Sequence, residues 1–458
     1  MSTASPVNQT QAGEKLLRVM FFTLILSVMN ATMFNVALPS ISEEFHLSPS
    51  QVSWIVTGYI IVYAIGSVTY GKLADTYRLK DLLTFGLFFF ALGSIVGLMA
   101  TEFWMVITGR ILQSMGASVI PATGMLIPVR YFSPEKRGRA LGTTTAGLAL
   151  GTAIGPIVAG FVTSLASWRF LFCLSLLVLL TLPFFRKYLD DAKGHAKKTD
   201  LLGGGLMAGT IAFLLLAVTN GTWTPMFIGA ILLVLFIWRI RSVDHPFIQP
   251  ALFRNKQYTY GILIAFLSTG LSFGIPFITP LMLSNLNHLA PAVIGFIMFP
   301  GALTASLLGK TGGKIADGKG NAQLIYTAVI LLFISFSSLS LVAGLSPLIV
   351  MIFLVFGNVG QTFMQIAMSN LVSRTLPKEQ AGVGMGLLMM MNFISGATAT
   401  TIISKMLDFG TSSLQFNPFL LYRPALIYSN IFAVLAFMVI VVCTIFYFRL
   451  GRGVKRTI

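Results

Sequence analysis

The chain has 458 residues, of which 55% are hydrophobic and 10% charged, with a mean hydropathy of +0.84 and a formal net charge of +17. An ordinary soluble domain carries about 25% charged residues, so this composition argues against a soluble enzyme and against a nucleic-acid-binding domain. The basic excess has its explanation in where the lysines and arginines fall.

Fourteen apolar runs of the length a helix needs to cross a bilayer follow one another: 19–39, 52–71, 82–101, 104–128, 140–163, 169–186, 201–219, 223–241, 258–283, 293–311, 322–343, 347–371, 381–404 and 426–448. The first is longer than the apolar core of a secretory signal and has no small-residue cleavage site behind it, so it reads as a transmembrane helix. With the N-terminus in the cytoplasm, the inside segments hold 27 of the 31 Lys and Arg residues, the exceptions being Arg110, Arg169, Lys405 and Arg423. This is the asymmetry of the positive-inside rule, and it predicts a multi-pass cell-membrane protein with both termini cytoplasmic.

In chain order, the first span carries Thr23, Ser27 and Asn30 at i, i+4, i+7, with Asn35 in the segment that ends at Pro39. One helical face with this spacing is a candidate lining for an aqueous cavity. The second span ends in Gly71-Lys72-Leu73-Ala74-Asp75, with Arg78 and Lys80 behind it. A carboxylate among basic residues at a helix end can pair with them. The fourth span holds Gly109-Arg110-Ile111-Leu112-Gln113. A guanidinium inside a span costs about 2.5–3.5 kcal/mol on insertion scales, so Arg110 is expected to face a polar cavity or a partner, with Gln113 on the same face. Snorkelling to the outer interface near Trp104 is the alternative. In the fifth span Gly147, Gly151 and Gly155 recur every fourth residue, followed by Pro156 and Gly160, which clears a strip for close helix packing.

Two charged stretches, Arg186 to Asp200 and Arg239 to Gln257, bracket the seventh and eighth spans. Past them, the pentapeptide returns as Gly313-Lys314-Ile315-Ala316-Asp317, 242 residues after its first copy. Two charged turns at matching places predict two similar halves related as parallel repeats. The expected organisation is a six-helix half over 1–190, two inserted helices over 191–257 and a six-helix half over 258–458. The twelfth span carries Asn358, Gln361 and Gln365 at i, i+3, i+7, and Asn392 follows the run Met389-Met390-Met391 in the thirteenth. These add to the candidate cavity, where methionine offers an adaptable surface. Cys173 and Cys443 each fall inside a span and read as small buried hydrophobes.

Together the first pentapeptide, the Arg110 segment, the glycine strip closed by Pro156 and Gly160, and the segment Asn30–Pro39 resemble the major facilitator superfamily. The likeness is to its fourteen-helix drug/proton antiporter branch, and within that to Gram-positive tetracycline-efflux proteins. The resemblance implies an all-α membrane fold and a secondary exporter of small amphiphilic compounds, tetracycline-type drugs foremost. Its partners would be the small-molecule substrate, protons or another monovalent cation, and the lipid bilayer, with no cofactor, no metal, no nucleic acid and no enzyme activity. The resemblance further implies that Asp75, with Arg78, Lys80 and Asp317, belongs to a latch between the halves, that Arg110 takes part in coupling, and that the glycine strip packs the fifth helix on the second half. A monomer is expected. An exporter of a metabolite or another drug class, or a non-transporting membrane sensor, is the alternative.

One departure concerns energy coupling. Where the tetracycline pumps place membrane-buried carboxylates, the aligned positions read Asn30, Thr152 and Gly396, and none of the fourteen acidic residues lies deep in a predicted span. An amide cannot take up and release a proton at neutral pH.

Overall fold

The computed structural model describes residues 6–74, 77–132, 134–189, 200–376, 381–410 and 415–451. Its described residues are helical wherever regular structure occurs: α1 (Pro6–Glu44), α2 (Pro49–Val52), α3 (Trp54–Leu73), α4 (Leu79–Leu98), α5 (Phe103–Ala117), α6 (Val119–Tyr131), α7 (Pro134–Leu165), α8 (Phe170–Ser175), α9 (Leu182–Tyr188), α10 (Leu201–Asn220), α11 (Trp223–Ser242), α12 (Lys256–Asn287), α13 (Pro291–Lys319), α14 (Asn321–Val342), α15 (Pro347–Arg374), α16 (Ala381–Asp408) and α17 (Leu426–Phe446). Among the described residues, fourteen stretches are long and apolar enough to cross a membrane, in register with the sequence expectation to within several residues. The fold is an all-α bundle of membrane-spanning helices.

Local chemistry sets the breaks. Ser48 accepts from the backbone N–H of Gln51 while Gln51 answers the Ser48 N–H, a reciprocal cap that starts α2. Asn255 accepts from the N–H groups of Gln257 and Tyr258 and starts α12. Between α10 and α11, Gly221 takes φ +64°, a left-handed conformation that only glycine adopts without strain. Asp200 caps α10 at the Gly203 N–H, also accepts from the Phe247 N–H, and pairs with Arg239 of α11 at 3.1 Å.

Several sequence expectations are corrected here. The fourth span is not one helix but two, α5 and α6, meeting at Ser118. The sixth is interrupted by a 3₁₀ stretch, Leu176–Thr181, between α8 and α9. The second pentapeptide is not a turn: Gly313 to Asp317 lie within α13, which runs on to Lys319, whereas the first copy ends α3 at Leu73. Lys319 supplies the helix with a basic last turn, which suits its negative end. Cys173 is exposed rather than buried, and Cys443 is partly buried.

Helices from both ends of the chain interdigitate. α1 packs on α7, α4 on α5, α14 on α15 and α12 on α16, while α7 meets α13 and α3 meets α16 across the middle. The motif glycines of α5 allow its close approach to α4: a Cβ on Gly109 would lie 2.8 Å from the Gly93 carbonyl oxygen. The pair α10–α11 touches the rest through α3 and α16.

Candidate translocation site

α1, α7, α12, α13 and α15 converge on a cavity of about 50 Å³. Its walls are Thr32 and Asn35 from α1, Thr152 and Pro156 from α7, Ile275 and Pro276 from α12, Met298 and Ala302 from α13, and Leu354 and Asn358 from α15. Each lies 7 to 13 residues from the nearer end of its helix, counted from Glu44, Leu165, Asn287, Pro291 and Pro347. At 1.5 Å per residue this is about 10–20 Å from the end, close to mid-depth of a bilayer. Thr32 donates to its own helix at Val28, Thr152 to Leu148, and Asn358 Nδ2 to Leu354. Their oxygens therefore face a guest as acceptors, and Asn35 adds both donor and acceptor capacity. No ionisable side chain is among the lining residues. A drug-sized ligand needs several hundred Å³, so none fits the cavity as it stands in this structure.

Closure is built at the end of the molecule distal to the chain termini. Ser164 Oγ of α7 accepts the Ala292 N–H of α13 at 2.9 Å. The Ser50 N–H donates to Asp408 Oδ1 at 3.0 Å, Ser404 donates to Ser53 Oγ at 3.2 Å, and the hydroxyls of Thr57 and Thr401 lie 3.4 Å apart. Gly160 has no room for a Cβ because the Pro291 carbonyl oxygen abuts it, and Gly295 is likewise filled by the Pro156 carbonyl.

The glycine strip therefore divides. A Cβ on Gly147 would lie 3.0 Å from the Phe21 carbonyl oxygen and one on Gly151 2.7 Å from that of Ile25, while Gly155 is closed by Thr32. All three face α1, in the same part of the bundle, and not the later helices. Pro156 and Gly160 face α13. The physical reason is angular: residues four apart stay on one face, and one further residue turns by about 100° to the next.

Arg110 does not snorkel. It is 1% exposed and sits in a buried cluster with Asn30 and Gln113, both completely buried. Its Nη1 donates to Asn30 Oδ1 at 3.3 Å and to Gln113 Oε1 at 2.9 Å, and its Nε to the Ile55 carbonyl at 3.4 Å. Gln113 Nε2 passes the chain on to Ser94 at 2.8 Å, and Ser175 donates to Asn30 Oδ1 at 2.9 Å. The rings of Phe34 and Tyr59 cover the guanidinium carbon at 4.1 and 4.0 Å, a cation–π arrangement suited to a desolvated cation.

Of the expected cavity residues, Asn35 and Asn358 thus line the cavity. Asn30 and Gln113 belong to the Arg110 cluster. Thr23 returns its hydroxyl to Val19 at 2.8 Å and is buried with Ser27, so this part of the polar stripe is helix packing. Gln361 is half-buried and Gln365 exposed on α15, and Asn392 accepts from Thr269 at 3.2 Å. Asp75 lies outside the described residues, as does the side chain of Asp317. Arg78 is the residue before α4, and Lys80 lies in its first turn. A Cβ on Gly396 would lie 2.8 Å from the Phe273 ring, which leaves no space for a carboxylate there. Sequence reasoning missed Phe34, Tyr59, Ser94 and Ser175, which carry no spacing signal tying them to Arg110.

Fourteen candidate membrane spans among the described residues, five of which meet at a mid-depth cavity with no ionisable lining, are the build of a membrane transporter. Residues 20–400 match the family model of the Major Facilitator Superfamily, and the chain belongs to that superfamily. It is 27% identical to the riboflavin transporter RibZ of Clostridioides difficile, covering 86% of this chain and 87% of the relative. It is 23% identical to the lincomycin resistance protein LmrB of Listeria innocua, covering 84% of each. A crystal structure of a POT family transporter in complex with 5-aminolevulinic acid superposes with a TM-score of 0.71, at 15% identity and over 94% of both chains.

Proposed function

We propose that this transporter exports small amphiphilic organic compounds by alternating access, in exchange for protons or another monovalent cation. The observation that carries the reading is the contact of Pro156 and Gly160 with α13, directly beside the closed cavity. Two rigid backbones that touch without intervening side chains can seal one side of the path and part as a unit, which favours exchange over leakage.

The substrate is hydroxyl-rich and carries an amide or imide group. Tetracyclines, named by the sequence resemblance, share this chemistry with riboflavin and lincomycin, the compounds in the names of two relatives. Asn35, Asn358 and the threonine oxygens of the cavity are suited to such groups, and Met298 to an apolar ring. The working organisation is two six-helix halves, 1–190 and 258–458, with α10 and α11 between them, both termini cytoplasmic, and the monomer as the unit. One net charge moved across 100 mV supplies about 2.3 kcal/mol. At 1.4 kcal/mol per tenfold, that sustains a roughly fifty-fold gradient. One titrating group per cycle suffices, and Asp75 is the carboxylate assigned to it.

Proteoliposomes test this directly. Addition of a tetracycline, lincomycin or riboflavin to energised vesicles is expected to release a proton flux in step with movement of the compound. Movement without cation flux would remove the antiport reading, and saturable binding with no movement would favour a membrane sensor.

A further inference from the structure

At the end of the bundle that carries the chain termini, α1 packs against α9 of the sixth span, and cations gather there. The ammonium of Lys15 in α1 lies 5.3 Å from the centre of the Tyr188 ring at the end of α9, and that of Lys187 lies 5.7 Å from the same ring. Arg18 follows Lys15 at i+3, on the same face of α1. Lys15, Arg18 and Lys187 are exposed, and Tyr188 is half-buried. Among the described residues no carboxylate pairs with any of the three cations. Arg186, by contrast, is turned to α4, where its Nη1 donates to Thr84 at 3.3 Å. Asp190 and Asp191, the next acidic residues in the chain, lie outside the described residues.

Like charges held against one ring repel each other unless an anion is shared among them. The faces that carry the cations show what kind of anion. Phe22 stands at i+7 from Lys15 on the same face of α1, and Leu180 stands at i−7 from Lys187 in the sixth span, with Phe184 between in the chain. Phe22, Leu180 and Phe184 are each more than half exposed. At 1.5 Å per residue these apolar groups reach about 10 Å beyond the cations, into the depth of acyl chains. Exposed apolar side chains alone suit any lipid, and the cations at their head select a negatively charged headgroup. A free phosphate would engage the cations and leave the apolar faces without a part. We infer that Lys15, Arg18, Lys187 and the Tyr188 hydroxyl bind the phosphodiester of an anionic glycerophospholipid, whose acyl chains lie along Phe22, Phe184 and Leu180. With the termini cytoplasmic, as proposed above, this is a lipid of the inner leaflet. It bridges the sixth span to α1, the helix that brings Thr32 and Asn35 to the cavity.

The purified full chain, in a neutral detergent, is unfolded thermally against rising short-chain phosphatidylglycerol. Phosphatidylcholine of the same chain length and glycerol phosphate are the comparators. Phosphatidylglycerol is expected to raise the midpoint saturably, and the other two to leave it unchanged. One cation beside an anionic headgroup is worth about fivefold in affinity. Lys15→Gln combined with Lys187→Gln should therefore raise the half-effective concentration roughly twenty-five-fold. Arg241→Gln combined with Arg254→Gln removes two other exposed cations at the same end of the bundle, and should leave that concentration unchanged. An equal response to phosphatidylcholine overturns the proposal, and so does an equal response to glycerol phosphate, which has the charge without the chains. Equal weakening in both double variants makes the effect one of overall charge and overturns it too. If the Lys15 and Lys187 variant fails to fold, Arg18→Gln alone decides: a weakening of about fivefold supports the site, and none overturns it.

Discussion

The ammonium of Lys405, in the last turn of α16, donates to the main-chain oxygen of Thr219 near the end of α10 at 2.9 Å. The hydroxyl of the same threonine accepts from Trp54 Nε1 of α3 at 3.1 Å. Thr219 is 5% exposed, so one residue of the central helix pair holds α3 and α16 together at the closed end. Asp408, 4.0 Å from Lys405, completes the group by accepting the Ser50 N–H. This accounts for a lysine on the side of the molecule that otherwise has few, and it gives α10 a part in closure.

Lys405→Met is expected to weaken that closure. A hydrogen bond from a charged donor is worth about 1.5–3 kcal/mol when buried and less at partial exposure, so the closed population should fall roughly tenfold relative to the open one. Labelling of an introduced Thr57→Cys by a membrane-impermeant thiol reagent, with Cys173 and Cys443 replaced by serine, measures this. Unchanged labelling would make the Lys405 bond a passive contact.

Gly160→Leu tests the contact between α7 and α13. The Pro291 carbonyl leaves no space even for a methyl group at Gly160, and main chain does not yield as a flexible side chain does. Transport should drop by about tenfold or more at equal protein abundance. Gly205→Ala in α10 is the control, since nothing lies within 4 Å of its Cβ position, and it should transport normally.

The spans are legible in the sequence because a span is a composition signal, and the fourteen apolar runs coincide within several residues with the fourteen candidate spans among the described residues. Arg110 is legible as an anomaly, since a cation inside a span must be provided for. Which groups provide for it is not legible: Tyr59 and Phe34 look like ordinary apolar-span aromatics, and only tertiary packing brings them to the guanidinium. The i, i+4, i+7 stripe of Thr23, Ser27 and Asn30 misleads in part. Threonine and serine inside a helix can return their hydroxyls to their own backbone, as Thr23 does, so a polar stripe need not face water. The pentapeptide repeat misleads in shape, because nearly identical residues end one helix at Leu73 and lie inside another that runs to Lys319.

That difference gives a prediction for the two aspartates. Asp75 follows the end of α3 in the chain, whereas Asp317 lies within the continuous α13. A latch that forms and releases needs its carboxylate at a joint between elements. Asp75→Asn is expected to abolish transport with the protein still in the membrane, and Asp317→Asn to reduce it only several-fold. Equal loss in both variants, measured as efflux at matched abundance, would restore the two copies to equivalent roles.

The cavity itself is tested by Asn35 and Asn358, which approach it from α1 and α15. Each carboxamide that bonds a substrate in the open cavity contributes about 0.5–1.5 kcal/mol. Asn35→Ala and Asn358→Ala should therefore each raise KM for transport about two- to tenfold, with less change in kcat. Loss of both removes polar groups supplied by two different helices, and the effects should multiply unless one substrate group bridges the two amides, in which case the double variant loses little beyond the single ones. Thr23→Ala is the informative comparison. Thr23 is completely buried and bonded to the Val19 carbonyl within its own helix, so its removal should leave KM unchanged. If Thr23→Ala raises KM while Asn35→Ala and Asn358→Ala do not, substrate travels along the face of α1 that carries Thr23 and Ser27, and the mid-depth cavity between α1 and α15 is a packing defect.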